Sequence, residues 1–354
     1  MIGTGSTGIQ AAPVIAAEAD HLTVFQRTPN YTVPARNAPL TPERAAEIKA
    51  DYPAIREHTR NSYGGFPFDP SDRSALEVSA EERQSTYEEL WEEGGFKFLW
   101  GGFTDILFNE KANETAAEFI RGKIRETVHD PAVAEMLAPT DHPYGSKRPP
   151  IDTGYFETFN RDNVSLVDLK ATPIKEITKS GIRTSAGDHE LDVLVFATGF
   201  DAMTGALLKI DIRGRDGLSL RDKWADGPRS YLGLQVAGFP NLFTITGPGS
   251  PSVVANMPTA IEQHVEWICD CIDHLRSQDR RAIEPSAEAE GAWVEHVAQV
   301  SRFGLFHKAD SWYLGANIPG KKRVFMPYVG GLANYRARCD EVAARGYEGF
   351  VVSA

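Results

Sequence analysis

The hydrophobic pattern of the first thirty residues changes from helical to extended spacing. Small and apolar residues between positions 9 and 19 follow helical spacing, and residues 22–25 form a short apolar run typical of a buried strand. Three glycines precede the helical segment. We therefore predict a strand, a tight turn, a helix and a second strand in this region.

A polar region with helical periodicity extends from residue 41 to about residue 135 and is rich in Glu, Ala, Lys and Arg. The expected helices are residues 42–59, 80–93, 113–128 and 131–137. Ser79 and Asp130 are suitable N-caps. An aromatic-rich stretch, residues 94–103, interrupts the helices, and we expect it to pack them onto their neighbours.

From Asn163 onward the pattern becomes that of β-strands. The predicted strands are residues 164–167, 174–177, 182–184 and 191–199, with turns at 180–181 and 187–188, and later strands at 209–213, 231–236 and within 238–246. Residues 193–197 are all apolar, so we expect the strand that contains them to be buried on both faces.

A glycine-proline turn at residues 247–251 precedes a long amphipathic helix with Pro258 in its first turn. The apolar face expected for this helix consists of Ile261, Val265, Ile268, Ile272 and Leu275. A helix that follows a glycine-rich turn directs its N-terminus toward an anionic or polarised ligand group. This turn is therefore a candidate ligand site.

The glycines near the N-terminus, Gly3, Gly5 and Gly8, have the G-x-G-x-x-G spacing of dinucleotide-binding folds. A fold that binds NAD carries Asp or Glu about 20 residues later. The end of the second predicted strand carries Arg27 and Thr28 instead, which favours the 2′-phosphate of NADPH. A solvated surface charge is the alternative for Arg27.

Hydroxyl groups follow the second glycine of the motif. Ser6 and Thr7 are candidates for phosphate contacts, and an N-cap role is equally consistent with either residue. Only Met1 and Ile2 precede Gly3, whereas a nucleotide-binding strand normally supplies about five residues there. Either the chain is truncated or the missing strand comes from elsewhere, such as a separately encoded N-terminal half.

A loop at residues 141–150 carries the adjacent cations Lys147 and Arg148 directly before two prolines. Prolines fix the backbone, so the two cations lie on a stiff segment that suits an anion. A solvated surface pair is an equally open interpretation.

Composition and charge narrow the choice of partners. The chain has 354 residues, enough for two domains, and a net charge of −12, which argues against nucleic acid and anionic membrane surfaces. Cys269, Cys271 and Cys339 form neither a disulfide framework nor a metal-ligand pattern, and no metal is expected. The absence of a long apolar run and of a signal peptide gives the cytoplasm as the expected location.

Several motifs together resemble the flavin-dependent Baeyer–Villiger monooxygenases of the phenylacetone and cyclohexanone type. They are GTGSTGIQ at 3–10, FQRTP at 25–29, KR at 147–148, YFETFNRDN at 155–163, ATGFD at 197–201, GPGSP at 247–251, IEQHVEW at 261–267 and SWYLGANIPG at 311–320. The resemblance spans the whole chain. It implies an α/β fold with a Rossmann-like NADP-binding domain, an inserted helical domain and the C-terminal part of an FAD-binding domain.

The resemblance also implies boundaries, cofactors and chemistry. The NADP-binding domain would comprise residues 1–34 and 145–198, with the helical insertion at 35–144 and the FAD-binding part at 199–354. The family uses NADPH, FAD and O₂ to convert small-molecule ketones to esters or lactones. Arg148 would be the catalytic residue, which steadies a reactive oxygen anion and the nicotinamide.

The remaining site residues implied by the resemblance are cofactor contacts. Arg27, Thr28 and Lys147 would bind the 2′-phosphate, Trp312 would lie on the nicotinamide-ribose side, and Met257 and Gly247 would face the flavin. The other implied cofactor-binding residues are Gly3, Thr4, Gly5, Ser6, Thr7, Gly8, Gln10 and Asp201.

The chain also departs from the family pattern. The family's earlier glycine motif for FAD, its signature ahead of the NADP motif and its active-site aspartate are absent, so we expect the isolated chain to bind FAD poorly. Two other functions stay open: a non-catalytic NADPH-binding fragment, and a flavin monooxygenase that oxygenates nitrogen or sulfur, which Lys147, Arg148 and Trp312 disfavour. Disulfide reductases are excluded because they need a closely spaced cysteine pair.

Overall fold

A computed structural model describes all residues, 1–354. The helices are α1 (Ser6–Glu18), α2 (Pro42–Ala50), α3 (Tyr52–Asn61), α4 (Ala80–Glu93), α5 (Lys97–Trp100), α6 (Glu110–Thr127), α7 (Pro131–Leu137), α8 (Tyr155–Thr158), α9 (Gly205–Lys209), α10 (Leu220–Lys223), α11 (Met257–Ser277), α12 (Ala287–Ser301) and α13 (Leu332–Ala344). The strands are β1 (Leu22–Gln26), β2 (Val33–Pro34), β3 (Ile151–Asp152), β4 (Val164–Asp168), β5 (Ile174–Thr178), β6 (Gly181–Thr184), β7 (Gly187–Glu190), β8 (Ala282–Pro285) and β9 (Phe350–Ser353). None of the helices combines the length and the apolar character needed to cross a bilayer.

The chain forms two compact units. The first contains Met1–Ala38 and Ser71–Phe200, and the second contains Pro39–Pro70 and Asp201–Ala354. The four-part domain division expected from the sequence stays a prediction.

A parallel sheet with helix α1 beside it organises the first unit. Strand β1 is buried along its whole length and pairs in parallel with β4, from Leu22 opposite Val164 to Gln26 opposite Asp168. Ile2 forms parallel bridges to Phe25 and to Phe196. The predicted strand-turn-helix-strand arrangement and the α/β fold class are confirmed.

The helical part of the first unit begins its helices with side-chain caps. The hydroxyl of Ser79 accepts a hydrogen bond from the backbone N–H of Glu82 at the start of α4, and Asp130 caps α7 in the same way, as predicted. Helix α6 begins three residues before the predicted start because Asn109 caps it. The aromatic stretch packs between helices, since the Phe98 ring lies 5.4 Å from that of Tyr87 and 5.6 Å from that of Phe119.

Four predicted elements differ from the structure, three of them because the backbone turns there. The helix expected at 42–59 is divided at Asp51 into α2 and α3, since Pro53 cannot continue the preceding helix. The strands expected at 231–236 and 238–246 form only isolated bridges. Leu232, at φ 58°, and Gly233, at φ 72°, reverse the chain between them. Residues 209–213 contain the end of α9 rather than a strand.

The strand expected at residues 191–199 is also incorrect. Only Phe196 forms a bridge there, to Ile2, and the side chains of Val193 and Phe196 are 74% and 63% exposed. A strand is buried on both faces only when neighbouring elements cover it. In this unit the ladder on that side of Ile2 consists of a single bridge. Turns do separate the strands of the antiparallel sheet β5–β6–β7, but they lie at residues 179–180 and 185–186, one and two residues before the predicted positions 180–181 and 187–188.

The core of the second unit is built by α11, α12, α13 and the antiparallel pair β8–β9. The buried stripe of α11 consists of Ala260, Gln263, His264, Trp267, Cys271 and Leu275. Leu275 is buried in the core and Ile268 packs against it, as predicted, but Ile261 and Val265 are 37% and 41% exposed, so the N-terminal part of the predicted apolar face was wrong. Two members of the stripe form hydrogen bonds to α13: the Trp267 indole donates to the Cys339 carbonyl at 3.0 Å, and His264 Nε2 lies 2.9 Å from the Tyr335 oxygen.

A buried carboxylate joins α12 to the rest of the second unit. The side chain of Glu290 is 2% exposed and lies 2.9 Å from the Lys223 ammonium. Its other oxygen accepts a hydrogen bond of 2.9 Å from the Ala237 N–H. These contacts satisfy a charge that would otherwise be costly to bury.

Candidate nucleotide-binding and catalytic site

The three glycines near the N-terminus differ in the space that surrounds them. Gly3 has a φ of +109°, and a Cβ there would lie 2.4 Å from the Ala197 carbonyl oxygen. A Cβ on Gly8 would lie 2.1 Å from the Gly3 carbonyl oxygen. A Cβ on Gly5 would meet no atom within 4 Å. The first and third glycines are therefore required by packing, whereas the second leaves open space in front of the helix, where a diphosphate approaches in dinucleotide folds.

Helix α1 begins at this open space without a side-chain cap. Gly5 is the N-cap residue, and the first turn carries no acidic side chain. Ser6 Oγ accepts a hydrogen bond of 3.1 Å from Gln10 Nε2 on the exposed side of the helix, and Thr7 is exposed as well. The helix N-terminus therefore presents uncapped N–H groups and a partial positive charge toward the open side.

The loop after β1 is joined to the glycine turn. The Thr4 hydroxyl donates a hydrogen bond of 2.8 Å to the Thr28 carbonyl, and the Gly3 N–H donates one of 3.0 Å to the Phe25 carbonyl. Arg27 lies between these contacts, is exposed and forms no hydrogen bond or ion pair within the protein. Its guanidinium is available to an anion beside the glycine turn.

The basic loop of the first unit is rigidly held. Lys147 and Arg148 are half-buried and are flanked by buried residues on both sides. The Arg148 guanidinium lies over the Phe96 ring, 4.5 Å from its centroid. The Pro150 carbonyl accepts a hydrogen bond of 3.1 Å from Val33 N–H, which ties this loop to the segment that follows Arg27. A stacked guanidinium retains its charge and its donors.

Two ionisable residues near this loop were not identified from the sequence. Burial, together with the positive charge of Lys147, lowers the pKa of His142, while its Nδ1 lies 2.6 Å from a carboxylate oxygen of Asp141. Burial raises the pKa of Asp152, in the strand after the loop, to about 6. No spacing in the sequence indicates these shifts, because both arise from burial in the tertiary structure.

The glycine-proline turn in the second unit is also closely packed. A Cβ on Gly247 would lie 2.5 Å from Thr244 Oγ1 and 2.6 Å from the Gly233 carbonyl oxygen. The Ser250 hydroxyl donates a hydrogen bond of 2.7 Å to the Gly247 carbonyl, and the Gly249 N–H donates one of 2.7 Å to the Met326 carbonyl. The shape of the turn is thus determined by backbone contacts.

A buried histidine supports the residue that precedes this turn. Thr246 has a φ of +53°, which is unfavourable for a β-branched residue. Its N–H donates a hydrogen bond of 2.8 Å to His264 Nδ1, so the ring proton is on Nε2, which donates to the Tyr335 oxygen at 2.9 Å. The Tyr335 hydroxyl donates in turn to the Leu232 carbonyl at 2.6 Å. Burial lowers the pKa of His264 to about 4. The only signal for it in the sequence is its place in the 261–267 motif.

The other site residues expected in the second unit lie at element ends. Met257 is the first residue of α11, and the half-buried Trp312 contacts the Tyr313 ring edge-on at 4.6 Å. Asp201 forms an ion pair with Lys321, whose ammonium also donates to Thr204 Oγ1 at 2.7 Å. Lys321 directly follows the 311–320 motif and was not identified from the sequence. Its contact gives Asp201 a partner within the protein.

The predicted site residues are therefore divided between the two units. The first unit contains the glycine turn with Arg27 and Thr28, and the loop with Lys147 and Arg148. The second unit contains Asp201, Gly247, Met257 and Trp312.

No protein-family model matches the chain. Individual relatives do match over nearly its whole length. They include a Baeyer–Villiger monooxygenase of Pseudooceanicola batsensis, 46% identical over 99% of this chain and 64% of the relative. Cyclohexanone 1,2-monooxygenase of Acinetobacter sp is 46% identical with the same coverage. Phenazine N-monooxygenase of Lysobacter antibioticus is 45% identical over 99% of the chain and 65% of the relative.

Solved structures give the same result. A steroid monooxygenase bound to NADP matches with a TM-score of 0.93 and 50% identity over 99% of this chain and 66% of that chain. The complex of OTEMO with FAD and NADP matches with a TM-score of 0.96 and 41% identity over 99% and 65%. The chain thus spans about 64% of the length of the curated relatives that it matches. Its sequence and its α/β fold agree in one conclusion: over nearly its whole length the chain is homologous to Baeyer–Villiger and cyclohexanone monooxygenases.

Proposed function

We propose that this chain provides the NADPH site and part of the FAD site of a Baeyer–Villiger monooxygenase, which converts small-molecule ketones to esters or lactones with O₂. The observation that carries the proposal is the glycine turn with open space at Gly5 and the unpaired Arg27 beside it. This chain covers 64% of the length of two relatives that are named as a Baeyer–Villiger monooxygenase and as cyclohexanone 1,2-monooxygenase. Their names support the same reaction class.

In this proposal the dinucleotide lies across the start of α1. Backbone N–H groups at the helix N-terminus contact the diphosphate at Gly5. The Arg27 guanidinium and Lys147 contact the 2′-phosphate, which distinguishes NADPH from NADH. Thr4 and Thr28 act by holding the turn to the loop after β1, because their side chain and carbonyl are already joined to each other.

Arg148 is the proposed catalytic residue. A guanidinium stays protonated at neutral pH, so it can stabilise an anionic oxygen without transferring a proton to it. Stacking on Phe96 limits the orientations of the side chain and excludes water from one face of it. Bound FAD, once reduced by NADPH, would supply the chemistry that activates O₂.

The proposed flavin contacts are in the second unit. Gly247 and its turn would approach the cofactor with backbone, because a side chain at Gly247 has no room. Met257 would contact the flavin, and Trp312 would lie on the nicotinamide-ribose side. Asp201, already paired with Lys321, would contribute through the position of that ion pair.

An exposed apolar segment of the first unit is a candidate contact surface for another polypeptide. Val193, Phe196 and Phe200 of the first unit are 74%, 63% and 84% exposed. Such a segment is typical of an interface. We propose that it contacts a polypeptide corresponding to the remaining third of the relatives' length, including the case of a separately encoded N-terminal half.

The cofactor assignment is tested with Arg27→Ala. Loss of a charge-assisted contact to the 2′-phosphate should weaken NADPH binding by about 1.5–3 kcal/mol, roughly ten- to hundred-fold, and should leave NADH binding almost unchanged. Isothermal titration of both cofactors measures the difference. Lys179→Ala removes another exposed cation of the same unit and serves as the control. An equal loss of both cofactors in Arg27→Ala would contradict phosphate recognition.

The catalytic assignment is tested with Arg148→Ala in the chain supplied with FAD and the remaining polypeptide. Ester formation from a ketone should fall about 10²–10³-fold, the usual effect of removing an electrostatic stabiliser. Gas chromatography measures the ester, and Arg161→Ala, an exposed arginine of the same unit, is the control. Ester formation at an undiminished rate would remove Arg148 from this role.

Nitrogen oxygenation is the second candidate, because a relative at 45% identity is named as a phenazine N-monooxygenase. A competition assay with a cyclic ketone and phenazine distinguishes the reactions: a lactone supports the first proposal and an N-oxide supports the second. If neither product forms and no NADPH is consumed with FAD and the remaining polypeptide present, the non-catalytic NADPH-binding alternative is favoured.

A further inference from the structure

A cavity of about 240 Å³ lies in the second unit behind the glycine-proline turn. Helix α12 forms one wall, and residues 323–326 form the other. The apolar surface comes mainly from Trp293, Val297, Phe325 and Met326, all of which are buried. The walls are rigid, since the Trp293 indole donates a hydrogen bond of 3.0 Å to the Gly249 carbonyl. None of the proposed NADPH contacts lines this cavity.

The charge of the lining is unlike that of the chain as a whole. The cavity is lined by Arg302, Arg323 and His307 and by no Asp or Glu, although the chain has a net charge of −12. Arg323 forms an ion pair of 2.6 Å with Asp310, which lies outside the lining. Arg302 is exposed at the end of α12 and forms no ion pair or hydrogen bond through its side chain. An uncompensated cation therefore stands at an apolar cavity.

Because the ring N–H of His307 is already used within the protein, Arg302 is the principal contact for an anion in this cavity. The Ser301 hydroxyl donates to the Ala298 carbonyl at 2.8 Å, so it accepts from His307 Nε2 at 2.9 Å. The His307 donor is thus already used by the protein. Burial and the nearby Arg302 both lower the pKa of His307, which agrees with a positive potential at this point.

We propose that this cavity binds a small carboxylic acid with an aromatic tail, the ring between Trp293 and Phe325 and the carboxylate on Arg302. An apolar cavity of about 150 Å³ holds benzene, so about 240 Å³ accommodates a ring with a carboxylate. A polyphosphate is disfavoured because most of the lining is apolar, and a cation is disfavoured by the arginines. The inference does not depend on the proposed monooxygenase function.

The test uses 4-fluorobenzoate as the probe and fluorine NMR of the full chain. We expect saturable binding, with the neutral analogue 4-fluorobenzamide binding at least about tenfold more weakly, since hydrogen bonds to charged groups are stronger than those between neutral groups. Arg302→Gln should weaken benzoate about tenfold or more and leave the benzamide unchanged. Arg280→Gln, an exposed arginine of the same unit, is the matched control and should change neither.

A second variant locates the site. Ala298→Phe places a ring inside the cavity and should abolish binding of both probes, while its thermal unfolding is compared with that of the parent chain. If Ala298→Phe does not fold, the result for Arg302→Gln, a surface substitution, still decides. Absence of benzoate binding to the parent chain, or binding that Arg302→Gln does not weaken, would overturn the proposal.

Discussion

The buried His264 should make the second unit sensitive to acid. Its ring is fully buried and neutral, with Nδ1 accepting from Thr246 N–H and Nε2 donating to Tyr335. Protonation would place a second N–H against the Thr246 N–H and a charge in the core. Burial lowers the pKa of His264 from its ordinary value of 6.5 to about 4, so the unfolded chain takes up this proton at a higher pH than the folded chain does.

The sign and the size of the effect follow from proton linkage. Because the pKa is lower in the folded state, the contribution of His264 is complete above pH 6.5 and is lost as the pH falls toward 4. With the two pKa values above, the free energy of unfolding decreases by about 2 kcal/mol at pH 5 and by about 3 kcal/mol at pH 4. This is a large part of the stability of an ordinary domain.

The assay compares the parent chain with His264→Gln by urea unfolding, followed by tryptophan fluorescence, at several pH values between 7.5 and 4. Glutamine can accept from Thr246 and donate to Tyr335 but does not titrate. Between pH 7.5 and 5, the unfolding free energy of the parent should therefore fall by about 2 kcal/mol more than that of His264→Gln. Parallel pH profiles for the two proteins would refute the reasoning. The other histidines titrate in both proteins and cancel in the comparison.

Three further substitutions test the roles of two glycines and of a buried ion pair. Gly8→Ala should destabilise the first unit by about 1–3 kcal/mol, because the new Cβ would lie 2.1 Å from the Gly3 carbonyl oxygen. Gly5→Ala should leave thermal unfolding nearly unchanged and weaken NADPH binding, and the reverse ranking of the two variants would contradict the roles given to these glycines. Glu290→Ala should lower the unfolding free energy in urea by about 3–5 kcal/mol, since it leaves a lysine partly buried without its partner. The exposed Glu288→Ala is its control, and a similar small loss in both would contradict the importance of burial.

Local chemistry made part of the architecture predictable. Ser79 and Asp130 were expected as N-caps and act as such, because a cap depends only on the next three residues. The glycine turn was predictable for a similar reason. Gly3 adopts a positive φ and Gly8 packs against its carbonyl, so these two requirements arise within one short segment, although the distant Ala197 carbonyl also faces Gly3.

Features that depend on distant partners were not predictable. The apolar residues 193–197 have the composition of a buried strand, yet exposure depends on which elements lie beside them. Ile261 and Val265 are more hydrophobic than His264, but His264 occupies the core because Thr246 and Tyr335 satisfy both of its nitrogens.

The amino-acid sequence by itself determined the glycine turn, the helix caps and the resemblance to the monooxygenases, since each depends on residue types at short, fixed spacings. Only the tertiary structure decided that Arg27 is unpaired, that Arg148 is stacked on Phe96, and that Arg302 lines a cavity without an acidic partner. These properties arise from contacts between residues far apart in the chain. Burial, and with it the strength of every charge, depends on those contacts.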